Sequence, residues 1–197
     1  MGTLNPKDSK ELPDPITEVN RVLINSISSK KLRELVSSKD KMVILVSDIS
    51  RPSPSSVLLP LILEELEEVG ENDNQITIIF VLGMHRKQTE EEKRKLGGEN
   101  VYTRVKYIDH NLENCIKIGT TKIGNEVFVF REILKADFII VTDNLEFHYF
   151  AGYTGGVKAV TTGICSRNTI ANNHKYFLDP GAKAGNIKGN PIREKIE

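Results

Sequence analysis

The chain has 197 residues, of which 39% are hydrophobic and 27% charged, as is typical of a globular protein that can bury a core. Its 27 basic and 27 acidic residues cancel, so no overall field favours nucleic acid or an anionic membrane. The longest apolar runs, Val57–Leu63 and Ile76–Leu82, are far shorter than the roughly 18 residues of a membrane-spanning helix.

The N-terminal region begins with a proline-containing, irregular lead-in and then takes on helical spacing. Apolar residues at this spacing are Ile16, Val19, Leu23 and Ile27, and a second short helix is predicted over Lys31–Val36. These segments predict helices that precede the first strand.

Two buried strands with a helix between them are predicted next. Met42–Ser47 is apolar on both faces, as expected of a strand covered by helices. Ser53 is predicted to be an N-cap with Pro54 at the first helical position, and the helix is predicted to run to Gly70. Ile76–Leu82 is the second strand.

The central part of the chain continues this alternation. Thr89 and Glu92 form a capping box that opens a charged helix ending at Gly97–Gly98. A short helix is predicted at Arg131–Lys135, and three further strands at Val101–Ile108, Glu126–Phe130 and Phe138–Thr142. Strands alternating with helices predict a three-layer α/β fold, with a mainly parallel Rossmann-like sheet and helices on both faces.

The start of the chain and its two cysteines indicate the cellular compartment of the protein. Met1 is followed by a polar stretch and not by a basic and apolar signal segment. Cys115 and Cys165 form no CxxC pair and are predicted to be reduced thiols. We therefore expect a cytoplasmic protein.

Polar side chains follow three of the predicted strands. Ligands of open α/β sheets bind at the carboxyl ends of the strands, where loops from several strands meet. One edge is therefore expected to gather an arginine, two imidazoles and carboxylates, from the groups Asp48, Ser50 and Arg51, then His85 and Arg86, then Asp143, Glu146 and His148.

Simpler readings exist for some of these residues. Asp48 and Arg51 could form a loop ion pair of little consequence, and His85 could be a solvated turn residue. His110 is predicted to be a surface turn histidine.

The segment His148–Gly163 is rich in glycine and predicts a close approach of backbone to a ligand. It lacks the ending of a Walker A loop, and no GxGxxG follows the first strand. Lys158 would contact a phosphate or serve as a covalent attachment point. His174, in the sequence Asn-Asn-His, could ligate nickel, zinc or copper. The residues alone predict a nucleotide-like or metal site.

Four motifs in order, DISRPSP, GMHRKQTEEE, EFHYFAGYTGGVK and NNHK, give the chain a resemblance to the lactate racemase family. That family uses a nickel-pincer nucleotide, nickel pyridinium-3,5-bisthiocarboxylic acid mononucleotide. The resemblance covers most of the chain, and it implies a racemase or epimerase of a 2-hydroxyacid such as lactate.

The resemblance also implies a role for each matching residue. Lys158 would hold the cofactor covalently as a thioamide, and His174 would be the protein ligand to nickel. His85 and His148 would be the acid/base pair, one on each side of the substrate, during hydride transfer to the cofactor. Arg51 would hold the substrate carboxylate, with Asp48 in support. The loop that contacts the cofactor would contribute Gly152, Thr154, Gly155 and Gly156.

Departures from the family pattern occur at three positions. The family commonly has a glycine near Asp143, a serine near Thr154 and an arginine near Val157. The full enzymes are also about twice as long. We therefore expect residues 1–197 to be a single cofactor-binding domain, the N-terminal part of a two-domain enzyme, inactive alone and acting with the missing C-terminal domain.

Two other functions remain open. The chain could be a non-catalytic nucleotide- or metal-binding fragment or partner subunit, in which case ligand binding would survive loss of both His85 and His148. A zinc hydrolase that uses three histidines would instead carry zinc and no adduct on the lysine.

Overall fold

The computed structural model describes residues 14–121 and 124–194. Short 3₁₀ helices occur at Asp73–Gln75, Arg131–Lys135 and Lys175–Leu178. In chain order the remaining elements are α1 (Pro15–Ile24), α2 (Leu32–Leu35), β1 (Met42–Ser47), α3 (Ser55–Glu67), β2 (Ile76–Val81), α4 (Glu90–Gly97), α5 (Glu99–Tyr102), β3 (Lys106–Asp109), β4 (Cys115–Thr120), β5 (Glu126–Phe130), β6 (Phe138–Thr142), β7 (Phe147–His148), β8 (Gly152–Tyr153), α6 (Val157–Thr161), α7 (Arg167–His174) and α8 (Pro191–Glu194).

The central sheet has four parallel strands in the order β3-β2-β1-β6. All six residues of β1 are buried, as expected of a central strand that is covered on both faces. The predicted α/β fold with a parallel sheet is confirmed. Because the strands are parallel, the loops that follow β1, β2 and β6 leave the sheet at the same edge.

Each face of the sheet has its own hydrophobic core. Ile44 and Ile78 pack on one side with residues of α3, α4 and α5. Val43 and Ile79 pack on the other side with residues of β5, α6 and α7. The fold therefore has three layers, but the second outer layer combines helices with the antiparallel β4–β5 hairpin.

The boundaries of the first long helix differ from the prediction. Pro54, not Ser53, precedes α3, and its backbone is not helical (φ −79°, ψ 52°). The Ser53 hydroxyl lies near the Ser55 hydroxyl (3.4 Å) instead of capping a backbone N–H. The helix ends at Glu67, and Gly70, three residues later, has a φ of +86°. This left-handed conformation turns the chain away from the helix axis. Ser53 was therefore the wrong cap, and Gly70 lies beyond the helix.

The prediction of a strand over Val101–Ile108 is wrong in its first half. Residues 99–102 form α5, and the strand begins only at Lys106. Val101, in this helix, and Val105, just after it, are both buried in the core. Their apolar character therefore reflects burial and not a strand.

The strand predicted over Glu126–Phe130 lies in a separate two-stranded hairpin and not in the main sheet. This strand forms as predicted, but it pairs with β4, which the sequence did not reveal, and not with the main sheet. The predicted helix after it is a 3₁₀ helix.

Both cysteines are free, as predicted. No helix in residues 14–121 and 124–194 is long and apolar enough to cross a membrane.

Candidate functional site

A cleft of about 350 Å³ opens at the carboxyl ends of β1, β2 and β6. Loops from these parallel strands meet there, together with the start of α6 and the end of α7. Seven of the ten predicted site residues line the cleft: Asp48, Arg51, His85, His148, Thr154, Lys158 and His174. Residues that are up to 126 positions apart in the sequence are thus brought to one place.

The three predicted glycines are not among the residues that line the cleft. Gly152 has a φ of +79°, and a Cβ there would lie 2.2 Å from the carbonyl oxygen of Asn186. Glycine at this position therefore lets two backbone segments pack against each other. A Cβ on Gly156, in contrast, would meet no atom within 4 Å. Contact of these glycines with a cofactor stays a prediction.

His85 is held by a carboxylate. Its Nδ1 lies 2.6 Å from Oδ2 of Asp48, whose side chain is 6% exposed, whereas that of His85 is 50% exposed. The other carboxylate oxygen accepts a hydrogen bond from the backbone N–H of Ser50 (2.7 Å). Asp48 is therefore fixed, and it pairs with His85 instead of with Arg51. The simple reading of an Asp48–Arg51 ion pair does not hold, and His85 is not a free turn residue.

His148 is more buried and packs among aromatic rings. The backbone N–H of Ala151 donates to its Nδ1 (3.2 Å), and its ring stacks on Tyr149 with centroids 4.9 Å apart. Burial lowers the pKa of His148 to about 4, and the positive charges of Lys158 and Arg51 contribute to this shift. The imidazole is therefore neutral at physiological pH.

Lys158 extends from α6 into the cleft. Burial lowers its pKa to about 8, and the nearby Arg51 adds to the shift, while the carboxylate of Asp143 opposes it. At pH 7, about a tenth of such side chains carry a neutral amine, which is the nucleophilic form. This amine can therefore react far more readily than that of an exposed lysine.

His174 ends α7 and faces the same cleft. Its Nδ1 lies 2.8 Å from the carbonyl oxygen of Ile170, so Nδ1 carries the proton and Nε2 has a lone pair. Burial lowers its pKa. Within the described ranges, no group of three or more His, Cys, Asp or Glu side chains could hold a metal ion. Nε2 of His174 is the atom of this ring that could hold a metal ion.

Sequence reasoning missed two residues that organise the cleft. Phe150 packs edge-on against both His148 (4.5 Å) and His174 (5.1 Å) and so fixes the spacing of the two rings. The Ser47 hydroxyl donates to Asp143 (2.6 Å) and ties the end of β1 to the end of β6. Phe150 lies in the same glycine-rich motif as His148, but nothing in its sequence spacing indicates contact with His174.

The prediction for His110 was wrong. Its side chain is only 3% exposed, and it packs edge-on against Phe130. Burial lowers its pKa to about 4, although backbone groups of Cys165 and Gly83 lie within reach of the ring and oppose this shift. It follows β3 at the same edge of the sheet but does not line the cleft.

Comparison with known proteins identifies related chains. The lactate racemase N-terminal domain family matches residues 1–185. Over 183 residues the chain is 34% identical to the lactate racemase of Thermoanaerobacterium thermosaccharolyticum and 35% identical to that of Lactiplantibacillus plantarum. In both cases the match covers 90% of this chain but only 43% of the relative, so the chain spans less than half the length of these proteins.

Solved structures agree with this relationship. The structure of the lactate racemase apoprotein from T. thermosaccharolyticum superposes with a TM-score of 0.87 at 32% identity, over 92% of this chain and 45% of that one. A Thermotoga maritima protein at 20% identity, with a TM-score of 0.73 and the same coverages, shares the fold. The chain belongs to the lactate racemase N-terminal domain family.

Proposed function

We propose that this chain is the cofactor-binding part of a racemase or epimerase that acts on a 2-hydroxyacid such as lactate. The observation that carries the proposal is the meeting of Lys158, His174, His85, His148 and Arg51 in one cleft. Two of these residues suit a covalently held metal cofactor, and the other three suit a small acid that bears a hydroxyl group.

The cofactor half of the proposal rests on Lys158 and His174. The partly neutral amine of Lys158 suits covalent attachment of a carboxyl-derived group, which requires a nucleophilic nitrogen. The Nε2 lone pair of His174 suits a borderline metal such as nickel, which is also held well by sulfur. These residues fit a nickel-pincer nucleotide. When bound, such a group supplies a reversible hydride acceptor.

The substrate half rests on Arg51, His85 and His148. A guanidinium can bind a carboxylate through two parallel hydrogen bonds and so fix its plane. His85, oriented by Asp48 at 2.6 Å, resembles a general base that a carboxylate holds in one tautomer. His148 is the second imidazole of the proposed acid/base pair.

We further propose that residues 1–197 form one domain of a longer, two-domain enzyme. Three apolar side chains that line the cleft are also exposed to solvent: Met84, Phe147 and Tyr149. Exposed apolar groups around a polar cleft suit coverage by another part of the protein. Closure of this kind would exclude water and complete the substrate pocket.

Mass spectrometry and metal analysis test the cofactor assignment. The chain is produced together with the enzymes that make the nickel-pincer nucleotide and is then purified. We expect an added mass on Lys158 and bound nickel. Lys158→Ala should lose the added mass, whereas His174→Ala should keep it and lose most of the nickel, because attachment and metal ligation involve different residues.

Lys135→Ala is the matched control, because this exposed lysine lies far from the cleft and pairs with Glu132. The control should keep both the added mass and the nickel. An unmodified Lys158 with no nickel under these conditions would refute the proposal, and stoichiometric zinc without an adduct would favour hydrolase chemistry. An intact adduct without racemisation, even when the rest of the enzyme is supplied, would favour a non-catalytic binding domain.

A further inference from the structure

β6 lies at an edge of the main sheet, and within the described ranges its one neighbouring strand is β1. At the start of β6, the N–H of Phe138 donates to the carbonyl oxygen of Lys41 (3.3 Å), on the β1 side. The backbone groups of successive residues in a strand point to opposite sides, so the N–H and C=O groups of Ile139 and Val141 point away from β1. On that side neither residue has a backbone hydrogen bond to another element in residues 14–121 and 124–194. β6 therefore has an open edge.

The residues of β6 are those of an interior strand. They are uncharged, and the run is apolar up to Val141, as in strands that are covered on both faces. Only Thr142 of β6 is buried, however, and Ile139 is 40% exposed, whereas every residue of β1 is buried. β3, at the opposite edge of the sheet, begins with Lys106 and ends with Asp109, and charged side chains commonly protect an edge strand. β6 lacks this protection, which indicates that another strand covers it.

The existing connections of the sheet all have the same hand. From β1 to β3 the chain moves across the sheet in one direction, and the connecting helices α3, α4 and α5 pack on the face that contains Ile44. From β3 to β6 it returns in the opposite direction, and β5 and the 3₁₀ helix after it pack on the other face, which contains Val43. Reversing both the direction and the face keeps the hand, as expected for parallel strands.

The elements after β6 indicate where a further strand would lie. α6 and α7 follow β6 and pack on the face that contains Val43. A parallel strand that is reached from this face with the same hand must lie beyond β6, at its open edge. The curated relatives contain enough polypeptide to form it, because this chain matches only 43% of their length.

We propose that the open edge of β6 pairs with a parallel strand from the polypeptide that follows residue 197 in a longer enzyme. This inference rests on the proposed function in one respect, that the chain is part of a longer protein, and not on the cofactor or the reaction. The added strand would accept and donate the hydrogen bonds that Ile139 and Val141 lack. It would also be apolar, because it would lie beside Phe138 and Ile140 on one face and Val141 on the other, where both cores of the sheet continue.

Amide hydrogen exchange, followed by NMR without cofactor or substrate, tests the proposal. It is measured in the 197-residue chain and in the protein extended by the polypeptide that follows it. In the 197-residue chain, the amides of Ile139 and Val141 should exchange about tenfold or more faster than that of Ile140, which points towards β1. In the extended protein all three amides should exchange at similar, slow rates, because the added strand accepts hydrogen bonds from the two outward amides.

A charge at Ile139 tests the same edge through stability. Ile139→Lys should change the urea midpoint of the 197-residue chain little, because this side chain is 40% exposed there. The same substitution should lower the midpoint of the extended protein, because pairing buries the position and a buried charge is costly. Ile118→Lys is the matched control: Ile118 is 56% exposed and lies in the separate β4–β5 hairpin, so its effect should be small in both proteins.

Fast exchange of Ile139 and Val141 in the extended protein, or equal effects of Ile139→Lys in the two proteins, would overturn the proposal. Slow exchange of these amides in the 197-residue chain that depends on protein concentration would also overturn it, because a second copy would then occupy the edge. The result is separate from the adduct on Lys158. A protected β6 without the adduct would refute only the proposed function, and an unprotected β6 with the adduct would refute only the pairing.

Discussion

Replacing Lys158 with methionine should stabilise the folded chain at neutral pH. The unfolded chain has an ordinary lysine pKa of 10.5, whereas burial, with Arg51 nearby, lowers the pKa in the folded chain to about 8. Below pH 8 both states carry the charged amine, and folding buries that charge at a constant cost. Between pH 8 and 10.5 only the unfolded chain binds the proton, so the stability of the folded chain rises with pH.

The size of the effect follows from these two pKa values. A tenfold difference in proton affinity corresponds to about 1.4 kcal/mol, so burial of the charged amine costs about 3 kcal/mol at pH 7 and about 2 kcal/mol at pH 9. Methionine has a similar length and no charge, and it avoids this cost at both pH values. The stability advantage of Lys158→Met should therefore shrink by about 1 kcal/mol from pH 7 to pH 9.

Urea denaturation of the parent chain and of Lys158→Met at the two pH values measures this difference. Lys135→Met is the control, because that exposed amine lies outside the cleft, and its effect on stability should not depend on pH in this way. If the advantage of Lys158→Met is absent at pH 7, or does not shrink by pH 9, the amine is not held in a buried, cation-rich setting. Lys158 would then be no more nucleophilic at neutral pH than an exposed lysine.

Three further predictions concern the loops and histidines. Gly152→Ala should lower the free energy of unfolding by more than about 2 kcal/mol, because its Cβ would overlap the Asn186 carbonyl, whereas Gly156→Ala, with open space, should cost about 1 kcal/mol, as urea denaturation can measure. His110→Leu should keep the free energy of unfolding at pH 7 within about 1 kcal/mol of the parent value, because it removes a buried ring whose polar atoms face backbone groups of Cys165 and Gly83. It should also reduce the loss of stability between pH 6.5 and 4, since the depressed pKa of about 4 means that the unfolded chain protonates first. Asp48→Asn should lower kcat of the assembled enzyme by about 10- to 100-fold, and an unchanged kcat would exclude a role for Asp48 in orienting His85.

The secondary structure was predictable where a local signal and the tertiary packing agree. The run of apolar residues in β1 and the capping box of α4, formed by Thr89 and Glu92, both match the structure. The prediction failed at Val101, where the start of the predicted strand forms a helical turn, and at β4, none of whose residues is fully buried. Both segments depend on tertiary packing, of α5 against α3 and α4 and of β4 against β5, which a local pattern does not contain.

The amino-acid sequence by itself determined the chemical groups of the candidate site and the edge at which they meet. The buried, β-branched strands predict a parallel sheet, and the carboxyl ends of parallel strands lie at one edge. Asp48, His85 and Asp143, which follow three of these strands, were therefore expected to lie close together. Only the tertiary structure decided which nitrogen of each histidine carries the proton. That choice depends on one hydrogen bond, to Asp48 for His85 and from Ala151 for His148, and the ring of His148 is also packed edge-on against Phe150. Burial decided the rest. It lowers the pKa of Lys158 and encloses His110, and a residue's solvent exposure cannot be read from its neighbours in the chain.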